Sequence, residues 1–127
     1  MKKMSLLLLA ALTLAVTVNA QGGMQRRTVE ERVAMIHAKL DSAFKLDATV
    51  GANVDSVFAE YYRATDKIRA DMMAAANGER PDFQAMQKSM EPAMDARDKK
   101  LKGILPEKQF ETWKKEIEPS MRRPRPQ

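Results

Sequence analysis

The chain has 127 residues, 44% of them apolar, with 22 Lys and Arg against 17 Asp and Glu for a formal charge of +5, and no cysteine. That length allows one small domain. The absence of Cys excludes thiol nucleophiles, thiolate metal sites, lipoprotein-type lipidation at cysteine and disulfides, and so modest a positive charge does not argue for a nucleic-acid partner.

In chain order, Lys2 and Lys3 precede an apolar run from Leu6 to Val16, broken only by Thr13, and Val18-Asn19-Ala20 supplies the small residues that a signal peptidase reads. The run falls short of the roughly 18–20 residues that cross a bilayer. The pattern predicts a cleavable signal peptide over residues 1–20, cleavage after Ala20, export, and no stable membrane anchor afterwards. Removing it leaves 107 residues and a formal charge of +3, because only Lys2 and Lys3 carry charge there. Export also removes nucleotide-driven mechanisms. Residues 21–27 show no periodicity and read as a flexible N-terminal tail.

Thr28-Val29-Glu30-Glu31 has the spacing of a capping box. Val29, Val33, Ile36, Leu40 and Phe44 follow at steps of four and three, so a first helix is expected to end near Phe44. Lys45-Leu46 reads as the turn and Asp47 as the next cap. A second helix, from about Ala48 to about Ala76, carries Val50, Val54, Val57, Phe58, Tyr61, Thr65, Ile68 and Met72 on one face. Asn77-Gly78 supplies a left-handed stop. Its length of roughly 43 Å exceeds the ~26 Å diameter of a compact domain of this size, so the monomer is expected to be elongated. Gly51 in its first turn weakens it by up to about 1 kcal/mol.

Pro81-Asp82 opens a third helix whose stripe is Phe83, Met86, Met90, Met94 (or Ala93), Arg97, Leu101 and Ile104. Pro92 falls inside it. Because the apolar period continues through Pro92, a kink is expected in preference to a break. A short fourth helix is predicted from Pro106 to about Glu118, with Phe110, Trp113 and Ile117 on its apolar face and Pro119 ending it. Residues 119–127 read as a basic Pro/Arg tail, with Met121 onward burying nothing. No β pattern occurs, so the fold class is all-α with four helices over residues 28–118.

Enzyme chemistry fails by inventory. His37 is the only histidine. Ser42 lies well around the helix from it, no Glu-x-x-His motif exists, and the five glycines form no phosphate cradle. No catalytic residue, resident metal or cofactor is expected. His37 sits beside the first apolar stripe and reads as a boundary residue with one ring edge packed and one wet. Met86, Met90 and Met94 stand at i, i+4 and i+8, so their thioethers share one ridge. Such a ridge is compatible with an adaptable core stripe, with Cu(I), which prefers soft sulfur, or with a re-packable surface for varied partners near Lys88, Arg97, Lys99 and Lys100. The period shared with Phe83 and Leu101 favours the core stripe over copper.

Leu105-Pro106-Glu107-Lys108-Gln109-Phe110 resembles the Leu-Thr-x-x-Gln motif of the Spy/CpxP family of periplasmic proteins. Leu105 and Gln109 match, and Pro106 stands where Thr is usual. Leu46-Asp47-Ala48-Thr49-Val50 is a degenerate earlier copy: Leu46 matches, Asp47 can cap in place of Thr, and Val50 replaces Gln. The layout of a capped helix, a motif, a long helix, an Asn-Gly turn, a kinked helix, a second motif and a basic tail is similar over residues 28–118. The resemblance implies a bent helical hairpin that forms a cradle as an antiparallel homodimer. It further implies a periplasmic, ATP-independent holdase-type chaperone that binds unfolded or partly folded clients under envelope stress. Its alternatives are a CpxP-like regulator of an envelope-stress sensor kinase or a periplasmic metal-binding protein. Leu46, Asp47, Leu105, Pro106 and Gln109 are then architectural. The residues expected to meet clients are Phe83, Met86, Met90, Met94 and Arg97.

Overall fold

Side-chain caps decide where the long helices begin. The computed structural model describes residues 26–122; the expected signal peptide, most of the expected N-terminal tail and positions 123–127 lie outside the described residues. α1 spans Val29–Phe44. Thr28 Oγ1 accepts from the Glu31 N–H at 3.1 Å, and the Glu31 carboxylate accepts from the Thr28 N–H at 2.8 Å, so both halves of the capping box are present. α1 stops at Lys45, which takes a left-handed conformation (φ 51°) and donates its N–H to the Asp41 carbonyl at 2.7 Å. A side chain with a Cβ is strained there. Lys45→Gly is therefore expected to stabilise the fold by about 0.5–1 kcal/mol, the relief being partly offset by glycine's greater freedom when unfolded. Thermal unfolding followed by circular dichroism should show a midpoint raised by about 3–6 °C; an unchanged or lower midpoint would contradict it.

α2 spans Ala48–Ala75, about 42 Å of helix. Asp47 caps it, its carboxylate accepting from the Val50 N–H at 2.8 Å. Gly51 is buried, and a Cβ added there would lie 3.1 Å from His37 Cε1. The glycine thus lets α1 and α2 approach closely where a larger residue would push the imidazole aside. Asn77 (φ 48°) and Gly78 (φ 85°) turn the chain in the left-handed region after α2. α3 spans Phe83–Ile104, with Asp82 accepting from the Gln84 N–H at 3.2 Å. It runs through Pro92 as one helix, and the proline ring is exposed.

The last helix differs from the sequence expectation at both ends. Pro106 stands before the first helical residue, and α4 begins at Glu107 with no side-chain cap (Glu107–Thr112). The chain then widens into a π-helical turn, Trp113–Ile117, and continues as α5, Glu118–Met121. Pro119 therefore does not end the helix. In the π turn the Glu118 N–H reaches back five residues to the Trp113 carbonyl. Pro119, which has no N–H to offer, follows directly on this widened turn, where the α-helical ladder is already interrupted. Met121 is likewise half-buried against the core, contrary to the expectation of a tail that buries nothing.

The described residues thus form four helical rods and no strand. α2 is the spine, with α1 packed on one side and α3 on another. The core consists of Ile36 and Leu40 from α1, Val54, Val57 and Phe58 from α2, Leu101 and Leu105 at the end of α3, and Trp113. All lie at one end of the molecule, where three helices and the last rod converge. No helix among the described residues is long and apolar enough to cross a membrane.

Candidate functional site

The lengths of the helices leave an arm. The first turns of α1 reach α2 near Asp66, where Arg32 grips the Asp66 carboxylate with both guanidinium nitrogens and lies 4.7 Å over the Tyr62 ring. Beyond that point, among the described residues, α3 is the helix that continues beside α2, and Arg26, ahead of α1, comes near Arg69. Ile68 and Met72 of α2 and Met86, Met90 and Met94 of α3 are half-buried, and none belongs to the set of side chains packed on the core. At the tip, Phe83 is 60% exposed and Met73 55% exposed. The ridge expected from sequence is therefore neither a sealed core stripe nor a fully open surface: it is one side of a two-helix layer. Met73, on the facing helix, is an addition that its position off the α2 stripe did not advertise.

The structure does not bring all five expected client-binding residues together. Phe83, Met86, Met90 and Met94 lie on the arm; Arg97 lies at its root with only 4% of its side chain exposed. Its guanidinium sits 4.6 Å from the Tyr61 ring centre and 5.3 Å from that of Trp113. Nε donates to Asp98 Oδ1 at 2.9 Å. Nη2 lies 2.9 Å from Asp98 Oδ1 and 3.3 Å from Glu118 Oε1, yet is aligned with neither for a hydrogen bond, so charge alone holds it. Lys114 Nζ completes the cluster by donating to Asp98 Oδ2 at 2.9 Å and Glu118 Oε2 at 2.7 Å, and Arg122 closes on Glu118 Oε1 at 3.3 Å. Arg97 in this chain is thus a joint between α3 and the last rod, and its burial removes it from any client surface of the folded molecule. Of the other cations named near the ridge, Lys100 pairs with Glu60, while Lys88 and Lys99 are exposed.

The π turn explains this joint. The i→i+5 bonding of a π turn brings residues five apart nearer to one face than an α-helix would, and Trp113 and Glu118 both meet Arg97. Burial alone would raise the Asp98 and Glu118 carboxyls, but hydrogen bonds from Lys114 and the positive charge of Arg97 outweigh it and hold both below the usual carboxylate range. Burial would lower Lys114, and its bonds to Glu118 and Asp98 raise it instead.

The motif residues occupy helix junctions. Leu105 is buried and Leu46 half-buried against the core, Asp47 caps α2, and Gln109 is half-buried in α4. His37 is 39% exposed and bonds through Nδ1 to Asp55 Oδ1 at 2.7 Å, with one edge on Gly51 and one in solvent. It lines a groove of about 880 Å³ between α1 and α2, together with Val33, Asp55, Ala59, Glu60 and Arg63. No group of three or more His, Asp or Glu side chains among the described residues is placed to hold a metal ion. The comparisons with family models, curated proteins and solved structures find no match to this chain, so the site stands on its own geometry.

Proposed function

We propose that this chain is an exported, ATP-independent holdase-type chaperone of the periplasm, working as an antiparallel homodimer whose paired hairpins form a cradle. The single observation that carries the reading is the arm: a two-helix layer whose half-buried methionines and exposed Phe83 and Met73 are outside the core. Methionine is flexible and polarizable, so such a surface re-packs around unlike apolar partners. A weak, adaptable contact lets an unfolded client leave without nucleotide. A second copy laid against the arm would supply the missing layer on one side and leave a concave face on the other. The long α2 spine suits that pairing, because a lone two-helix arm leaves apolar area uncovered.

The direct test is suppression of aggregation of a chemically denatured model protein, without nucleotide, by the chain from Gln21 onward. Phe83→Ser with Met73→Ser should weaken suppression roughly tenfold or more, since each change removes about 1–2 kcal/mol of apolar contact. Both side chains are exposed, so the fold should survive, as the fluorescence of the single tryptophan, Trp113, would report. Equal activity of the double variant, or no suppression by the unmodified chain at several-fold molar excess, would reject the proposal. Capture of one sensor-kinase domain in place of many unfolded chains would favour the regulatory alternative.

A further inference from the structure

Five of the chain's ten methionines, Met72, Met73, Met86, Met90 and Met94, fall within the arm, and the chain has no cysteine. Thioethers are therefore its only oxidisable sulfurs, and half of them sit in the arm, outside the core of the described residues. Met73 is open to solvent, and the other four are half-buried with no third helical layer over them among the described residues. Met121 differs, being packed on the core beside the last rod. Met35 offers an internal standard: it is 40% exposed, but on α1, away from the arm.

We infer that the arm methionines are reversible oxidation sites through which peroxide disarms the apolar face. The step is an oxygen-atom transfer. The sulfur lone pair attacks one oxygen of hydrogen peroxide, the O–O bond breaks, the proton on the transferred oxygen passes to the departing hydroxide, and the thioether is oxidised to a sulfoxide as the peroxide is reduced to water. The sulfoxide is polar and accepts hydrogen bonds, whereas its thioether was apolar. On a core-backed helix many other contacts would hold the element in place. Here, beyond Asp66, the large half-buried apolar side chains of α2 and α3 are Ile68, Met72, Met86, Met90 and Met94, so a sulfoxide at any of these four methionines weakens packing, while one at Met73 subtracts from the exposed apolar face. Oxidation at Met73 comes first, because it is open without any movement. The half-buried four follow as the arm loosens. The core end, with Trp113 fully enclosed, stays folded throughout.

The consequence for clients rests on the chaperone reading; the chemistry and the loosening do not. The test treats the chain from Gln21 onward, and a variant with Met72, Met73, Met86, Met90 and Met94 all replaced by Leu, with hydrogen peroxide. Leucine keeps the apolar volume and the helix propensity. Peptide mass spectrometry should find one added oxygen on each arm methionine and on Met35 well before Met121. Amide exchange over residues 67–95 should accelerate at least tenfold in the oxidised chain while Trp113 fluorescence is unchanged, and the Leu variant, oxidised only outside the arm, should show no such acceleration. Methionine sulfoxide reductase should restore the slow exchange. Aggregation suppression should fall with oxidation in the unmodified chain and persist in the variant. Oxidation of Met121 at the rate of Met73, or an oxidised arm that exchanges as slowly as the reduced one, overturns the inference. If neither chain suppresses aggregation before treatment, the chaperone reading fails while the exchange data still decide this one.

Discussion

Arg97→Leu is expected to destabilise the fold by about 3 kcal/mol and to lower its thermal midpoint by more than ~10 °C. The guanidinium joins Tyr61, Trp113, Asp98 and Glu118, so its removal leaves two enclosed carboxylates sharing Lys114 and takes away the cation between two rings. The cost falls toward the lower end of that seen for broken buried pairs because Lys114 and Arg122 still reach the carboxylates. Arg97→Lys should recover only part of it, since an ammonium cannot lie flat against Tyr61 while pairing sideways with acids. The pH dependence provides a second readout. Asp98 and Glu118 have depressed folded pKa values, so the stability they contribute is present above their unfolded values near 4 and is lost as pH falls through the folded ones. Lys114 is raised, so its contribution is complete below its unfolded value near 10.4 and is lost as pH rises through the folded one. Without Arg97 the two acids move back toward ordinary values, and the gap between the unmodified chain and the variant should narrow below about pH 4. Urea titrations across pH 2–8 measure this; parallel stability curves would show that Arg97 does not hold the carboxylates down.

Trp113→Ala is expected to cost about 3–5 kcal/mol, a core-sized loss. The indole is 2% exposed, meets Phe58 edge-on at 5.3 Å between ring centres, and roofs the Arg97 guanidinium. Trp113→Phe should cost far less, under about 2 kcal/mol, although it too removes ring atoms. The indole Nε1 is buried without a hydrogen-bond partner, so exchanging it for a phenyl ring removes an unsatisfied donor along with the volume. A phenylalanine variant as unstable as the alanine one would mean that the indole nitrogen is bonded in solution. Because Trp113 and Arg97 touch, their effects should not add: the double variant with Leu at 97 and Ala at 113 should be less unstable than the sum of the singles by about 0.5–3 kcal/mol. Denaturant midpoints for the four proteins complete that cycle.

Much of the architecture was legible because its signals are local. Thr28 and Glu31, Asp47 and Asp82 each cap a helix within three residues of themselves, and Asn77-Gly78 turns the chain by its own backbone preferences. The apolar periods named Ile36, Leu40, Val54, Val57, Phe58, Leu101 and Trp113, all of which are buried. Two readings failed for a common reason. Pro119 looked like a helix end because the rule for proline assumes an α-helical ladder, and nothing within a few residues of Trp113 announces a π turn. Arg97 looked accessible because an arginine in an apolar stripe is cheapest at the surface, and the groups that neutralise it are far along the chain, Lys114 and Glu118 on another rod and Tyr61 on another helix. Gly51, read as a weak point, is a site of close approach visible only once His37 is placed opposite.

By itself, then, the amino-acid sequence determined the all-α class, the starts of the three long helices, the turn after α2 and the face each long helix buries. Those features follow from hydrogen-bonding geometry and hydrophobic period within a few residues. Only the tertiary structure decided which end of the molecule holds the core, that α2 and α3 outrun α1 to leave a methionine-lined arm, and that Arg97 is a buried joint instead of part of that arm. These depend on which side chains meet across tens of residues, where the desolvation of a charge is set by its neighbours in space and not by its place in the chain.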